Sequence, residues 1–135
     1  VVPPLEGFWW QDKVHRVDYS NKNTFNWISV IKLPDFITMK DFEWAVHYAT
    51  KKKNVDCSSA EYLTIEEGLC VQIMHKGTFD DEPDTVEIMD TYLKQNGYEN
   101  DLNDKRLHHE MYLSDPRKVA PEKRKTVIRH PIRKI

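Results

Sequence analysis

Two hydrophobic periods take turns along this chain, and their order leaves few folds open. Residues 5–10, LEGFWW, and 24–33, TFNWISVIKL, are rich in the aromatic and β-branched types that strands favour. The polar stretch between them, QDKVHRVDYSNKN, suits a long hairpin connection, and Pro34 ends the second strand. Beyond it Met39, Phe42, Val46 and Ala49 recur at helical spacing. Thr38 with Asp41 three residues later resembles a capping box, so a helix is expected from there to about Lys53. Lys51–Lys53 suit the negative end of its dipole.

The second half repeats the alternation. Residues 61–77 hold a strand centred on LCVQIMH, apolar on both faces, which predicts a central strand buried on both sides. TFDDEPDTVEIMDTYLKQNGY follows as a second helix with Val86, Met89 and Leu93 as its buried stripe and Gly97 as its stop. Five acidic residues within Asp80–Glu87 lack the ligand alternation and central glycine of a calcium loop. With Pro83 they read as the acidic start of that helix. After a polar link (99–107) come HHEMYLSD and a last strand near KTVIRHPI.

The order β-β-α-β-α-β-β predicts an α+β fold, an antiparallel sheet with helices on one face. Residues from about 69 to 133 make a complete β-α-β-β unit, and the first half looks like the tail of an equivalent one. The chain is therefore divided into 1–53, the end of a first unit plus a linking helix, and 61–135, a second unit, within one domain. A chain of 135 residues is long enough for one such core and too short for two comfortable ones.

No apolar run is long enough to cross a membrane, and no secretory signal is visible. With only two cysteines, Cys57 and Cys70, outside any CxxC spacing, the cytoplasm is the expected compartment. The opening VVPPLEGFWW carries no initiator methionine, a hint that natural sequence precedes residue 1. The net charge of −2 divides unevenly, +7 over residues 117–135 and −9 over the rest. The basic residues are interleaved with Val119, Val127, Ile128 and Ile132, as in a strand with one wet face, so direct nucleic-acid binding is not expected.

The chemistry concentrates in HHEMYLSDP, residues 108–116. Side chains on a strand alternate, so His108, Glu110 and Tyr112 share one face while His109, Met111 and Leu113 take the other, there to pack beneath the helices. A glutamate on an interior strand costs free energy unless paired or hydrogen-bonded. Two readings stay open from pattern alone. The face is wet, or Glu110 forms the floor of an aromatic pocket, where it would attract a cation or act as acid or base. Four tryptophans, Trp9, Trp10, Trp27 and Trp44, supply planar surface for such a pocket. No phosphate loop, GxSxG elbow or metal-binding histidine spacing occurs, so neither cofactor nor metal is expected. A Cys70–His75 nucleophile pair has no positive support.

Several stretches together resemble one family: VVPPLEGFWW, FNWISVIKLPDF, EEGLCVQIMHKGTFDDEP, NGYENDL and HHEMYLSDPRKVAPEKRKTVIRHPI. They are similar to the GyrI-like small-molecule-binding proteins, more narrowly to a stand-alone bacterial branch without a DNA-binding domain. The resemblance implies duplicated β-α-β-β units with a ligand cleft between them. It also implies that the first strand and helix lie upstream of Val1, making this the C-terminal part of a longer protein. Members of the wider family bind hydrophobic, often cationic drugs through a buried glutamate, and Glu110 sits where that residue is expected. Some stand-alone members are cyclopropanoid cyclopropyl hydrolases, which open the ring of DNA-alkylating natural products and detoxify them.

Two functions are thus expected of one cleft: binding of planar, hydrophobic or cationic small molecules, or hydrolysis with Glu110 and Tyr112 as catalytic groups. Which of the two residues would be the acid is left open. The candidate ligand-binding residues are Glu110, Tyr112, Trp9, Trp10, Trp27, Phe36 and Met74, with either Trp9 or Trp10 facing the cleft. An effector module of a transcription activator would need a helix-turn-helix partner that these residues do not contain.

Overall fold

A computed structural model describes residues 1–12 and 16–135. Residues 13–15 of the expected hairpin connection lie outside the described residues. The chain divides into two compact units, one of residues 1–32 with 67–135 and one of residues 33–66.

The larger unit is built on an antiparallel sheet. Its strands are β1 (Leu5–Gln11), β2 (Phe25–Val30), β3 (Cys70–Lys76), β4 (Tyr98–Asn100), β5 (His108–Tyr112) and β6 (Lys125–Lys134). The order across the sheet is β2-β1-β5-β6-β3, with the short β4 paired to the end of β6. The α+β class and the antiparallel pairing are as the sequence predicts. Strand β3 differs, because it lies at the sheet's edge. Its residues Gln72, Met74 and Lys76 are exposed while His75 is buried, so only one of its faces is covered. Strand β4, only three residues long, straddles the end of the second helix stretch and the start of the polar link, and its pattern carries no strand signal.

Register decides which side chains share a face, because cross-strand partners point the same way. Glu110 lies opposite Gly7 and Ile128, His108 opposite Trp9, and Tyr112 opposite Leu5 and Thr126. Trp9 in turn lies opposite Trp27. Helix α2 (Glu82–Gln95) covers part of this same face. The tie is visible at His75, whose Nδ1 is 2.6 Å from the Thr85 hydroxyl on α2 and whose Nε2–H donates to the Thr78 carbonyl at 2.7 Å. Met89 and Leu93 on the helix and Ile128 and Ile132 on β6 are the buried core of this layer, each contributing about 1.5–3 kcal/mol on burial.

The expectation that Met111 and Leu113 pack beneath the helices is therefore corrected. The helix lies over the Glu110 face, and the opposite face carries Phe8 stacked on His109 at 4.1 Å. His109 there meets Glu6 at 2.6 Å and Glu67 at 3.3 Å. Leu113 lies just past the end of β5 and is exposed.

In the smaller unit α1 spans Met39–Lys53. Its capping box is present as the sequence predicts, Thr38 accepting from the Asp41 N–H and Asp41 accepting from the Thr38 N–H. Within this unit the Tyr62 hydroxyl donates to the Ile37 carbonyl, and Tyr62 packs near Phe42.

Candidate functional site

Side chains from β1, β2, β5, the turn before β2, the segments just before α2 and just after β5, and the first turn of α2 surround a cleft of about 850 Å³. Its walls include Leu5, Trp9, Phe25, Trp27, Phe79 and Leu113, and its floor is Glu82, His108, Glu110 and Tyr112. Trp9 and Trp27 stack with centroids 5.6 Å apart, and Phe25 meets Trp9 edge-on at 6.0 Å. Ion pairs mark the rim, Lys22 with Asp80 and Arg117 with Asp115.

At the floor, Glu110 is buried on the central strand and fully engaged. His108 Nε2 lies 2.8 Å from its Oε1, and the Tyr112 hydroxyl donates to its Oε2 at 2.6 Å. Trp9 Nε1–H donates to the Tyr112 oxygen at 2.9 Å, which aims the phenol's hydrogen at Glu110. Behind His108, its Nδ1 meets His130 Nε2 at 2.6 Å, and His130 Nδ1 faces the Asn100 amide at 3.3 Å.

Glu82, the first residue of α2, is equally buried beside Glu110. Its Oε1 makes no hydrogen bond of normal geometry among the described residues, and the Tyr19 hydroxyl lies beside it. Two carboxyls this close cannot both ionise without a large repulsion. Burial, reinforced by Glu110, pushes the Glu82 carboxyl well above the usual range. Burial also works against ionisation of Glu110, but the hydrogen bonds from His108 and Tyr112 and the contact with Glu82 outweigh it and hold that carboxyl low. The pair therefore shares one proton, resident on Glu82. Burial and the neighbouring Glu110 charge also push the Tyr112 phenol up, so it stays protonated.

Donor atoms of Glu82, His108 and Glu110 lie within 4.8 Å of one another, a spacing at which a cation would also be held. The hydrogen bonds already arranged there suit a proton better, since both Glu110 oxygens accept from neighbours.

Of the expected site residues, Glu110, Tyr112, Trp9 and Trp27 come together in the cleft. Trp10 alternates onto the opposite face, which settles the choice between the adjacent tryptophans. Met74 also belongs to that opposite face, through its partner Val127, and is 48% exposed. Phe36 belongs to the unit of residues 33–66, where it is 78% exposed. Cys70 and His75, five apart on β3, point to opposite faces, and burial raises the thiol. Glu82, Tyr19 and His130 join the site without having been among the residues expected there. Glu82 falls on the same helical stripe as Val86, Met89 and Leu93, and His130 shares the strand face of Ile128 and Ile132, so both carry a periodic signal of burial.

The family model for the GyrI-like small molecule binding domain matches residues 1–133. The chain belongs to the GyrI-like family. Solved structures agree. An uncharacterised conserved protein from Listeria innocua is 45% identical, superposes with a TM-score of 0.90, and is matched over 98% of this chain and 65% of its own. A hydrolase from Listeria innocua is 45% identical with a TM-score of 0.87, over 98% of this chain and 64% of its own. A further hydrolase from that organism is 42% identical with a TM-score of 0.85, over the same shares, 98% and 64%. This GyrI-like chain thus spans about 65% of the length of the structures it matches. No curated protein matches it. None of its described helices is long and apolar enough to cross a membrane.

Proposed function

We propose that this GyrI-like protein captures flat hydrophobic cations in the cytoplasm, with the charge against Glu110 and the ring system between Trp9, Trp27, Phe25 and Phe79. Glu110 carries the reading. It is a buried carboxylate at the floor of an apolar cleft, and its hydrogen bonds come from a histidine and a tyrosine. No lysine or arginine among the described residues pairs with it, so its charge remains available to a ligand. The aromatic faces add cation–π attraction in a partly dry setting.

The test compares N-methylphenanthridinium with neutral phenanthridine by fluorescence titration. The cation should bind at least about tenfold tighter, or roughly 1.4 kcal/mol. Glu110→Gln should fold and lose that preference. Equal affinity for both compounds, unchanged by the substitution, would overturn the proposal.

The carboxyl pair of unlike protonation supports a second reading, hydrolysis of strained electrophilic xenobiotics such as cyclopropanoids. Two of the similar Listeria proteins are called hydrolases. In such a step Glu82 donates its proton to the dienone oxygen, water forms a bond to the ring carbon as the cyclopropane bond breaks, and Glu110 accepts the water's proton. Tyr112 holds Glu110 in place. The product is one water heavier than the substrate. A rate no higher than the uncatalysed background removes the enzyme reading for that substrate class.

A further inference from the structure

The hydrogen bonds behind Glu110 have a direction that the ends of the network impose. Asn100 lies on β4, at the far end of the line from the cleft. Its Oδ1 accepts the Leu102 N–H at 2.8 Å, which fixes the amide orientation and turns Nδ2 toward His130 Nδ1 at 3.3 Å. An amide nitrogen only donates. His130 Nδ1 must therefore carry the lone pair, and its hydrogen sits on Nε2. That hydrogen points at His108 Nδ1, 2.6 Å away, so His108 in turn carries its hydrogen on Nε2 and donates it to Glu110. The indole of Trp9, also a pure donor, orients Tyr112 toward the other Glu110 oxygen. Every hydrogen in the network is handed toward one carboxylate.

The same line excludes an imidazolium at His108. A second hydrogen on its Nδ1 would face the hydrogen on His130 Nε2, and His130 cannot move that hydrogen to Nδ1 because Asn100 donates there. Burial independently disfavours charge on His130, pushing it down to about 3.

We propose that Asn100 is a positioning residue that keeps His130 and His108 as neutral Nε2–H tautomers, so that Glu110 is hydrogen-bonded yet left without a compensating positive charge. This deepens the reading of Glu110 as the cation-holding group and rests on it for its consequence. The tautomers themselves are independent of any ligand.

The informative variant is Asn100→Asp, which keeps the shape and can still accept the Leu102 N–H. A carboxylate at this position accepts a hydrogen from His130 Nδ1, leaving His130 Nε2 with a lone pair. His108 then takes up one proton and becomes an imidazolium donating to both His130 and Glu110. The titratable groups facing this line are Glu82 from α2, Tyr19 from the turn before β2, and Glu110 and Tyr112 from β5. On its other side His108 borders a small pocket with Arg16 and Arg106, the latter held by Asp101 at 2.6 Å.

Long-range proton–nitrogen NMR of the ligand-free protein at neutral pH should show both rings neutral and protonated at Nε2. In Asn100→Asp, His130 should switch to Nδ1–H and His108 should become doubly protonated. N-methylphenanthridinium affinity should then fall about tenfold at pH 6 and recover as pH rises through the new His108 titration, while the unsubstituted protein shows no such step. Nδ1–H at either ring in the unsubstituted protein, or unchanged tautomers in the variant, would overturn the proposal. If Asn100→Asp does not fold, the unsubstituted spectrum still decides. A protein with the expected tautomers that binds no cation would instead remove the functional reading and leave the hydrogen-bond assignment standing.

Discussion

Gly7→Ala separates the site from the fold. Gly7 lies in β1 directly opposite Glu110, and its φ is not in the left-handed region, so alanine fits the backbone without strain. The new methyl would stand 2.8 Å from Trp9 Nε1 and 2.9 Å from the Tyr112 oxygen, closer than such contacts occur. It would sit against the bond that joins those two atoms. The indole or the phenol must shift, and the Trp9–Trp27 stack shifts with the indole. Breaking the Trp9–Tyr112 bond costs about 1 kcal/mol. Replacing a strand glycine returns about 0.5–1 kcal/mol. The melting temperature should therefore stay within about 4 °C, while N-methylphenanthridinium affinity falls about tenfold, or roughly 1.4 kcal/mol. Thermal unfolding and fluorescence titration read the two arms. Unchanged affinity would refute the claim that Trp9 and Tyr112 must meet above Gly7. A melting temperature lowered by more than about 10 °C would mean that the glycine serves chain packing instead.

Two further substitutions probe the walls and the proton. Trp27 is 59% exposed, so Trp27→Ala should change the melting temperature little and weaken cation binding several-fold; a large loss of stability with intact binding would contradict its place in the wall. Glu82 has a raised folded-state pKa, so its contribution to stability is fully present below the unfolded value near 4.5 and declines as pH rises toward the folded value. Glu82→Gln should thus gain stability over the unsubstituted protein as pH goes from 4 to 8, read by unfolding at each pH, and a pH-independent difference would argue against a protonated Glu82.

What the sequence revealed depended on the range of the interactions involved. Alternation along HHEMY put Glu110, His108 and Tyr112 on one face, and the aromatic strands named Trp9 and Trp27, because side-chain period is a local property. Edge and central strands, in contrast, differ by long-range pairing. LCVQIMH reads as a two-faced apolar run whichever place it takes, and only the register with β6 shows it at the edge with Met74 uncovered. The covered face could not be chosen either, since Met111 and Leu113 look as buriable as Glu110 looks wet. In the sequence Glu82 reads as a helix-start charge, and it is the first residue of α2. That its first turn hangs over β5 is a tertiary fact, and it converts a capping preference into half of a buried acid pair.

The half-exposed wall of Trp27, Phe79, Leu5 and Leu113 has a consequence for the lifetime of the protein. Empty, it leaves wet apolar surface of the kind that invites self-association. A ligand at a hundred times its Kd adds about 2.7 kcal/mol to the folded state. Protease resistance and steady-state abundance should then rise with the amount of ligand the cell contains, making the chain's own turnover a gauge of its exposure to the compound.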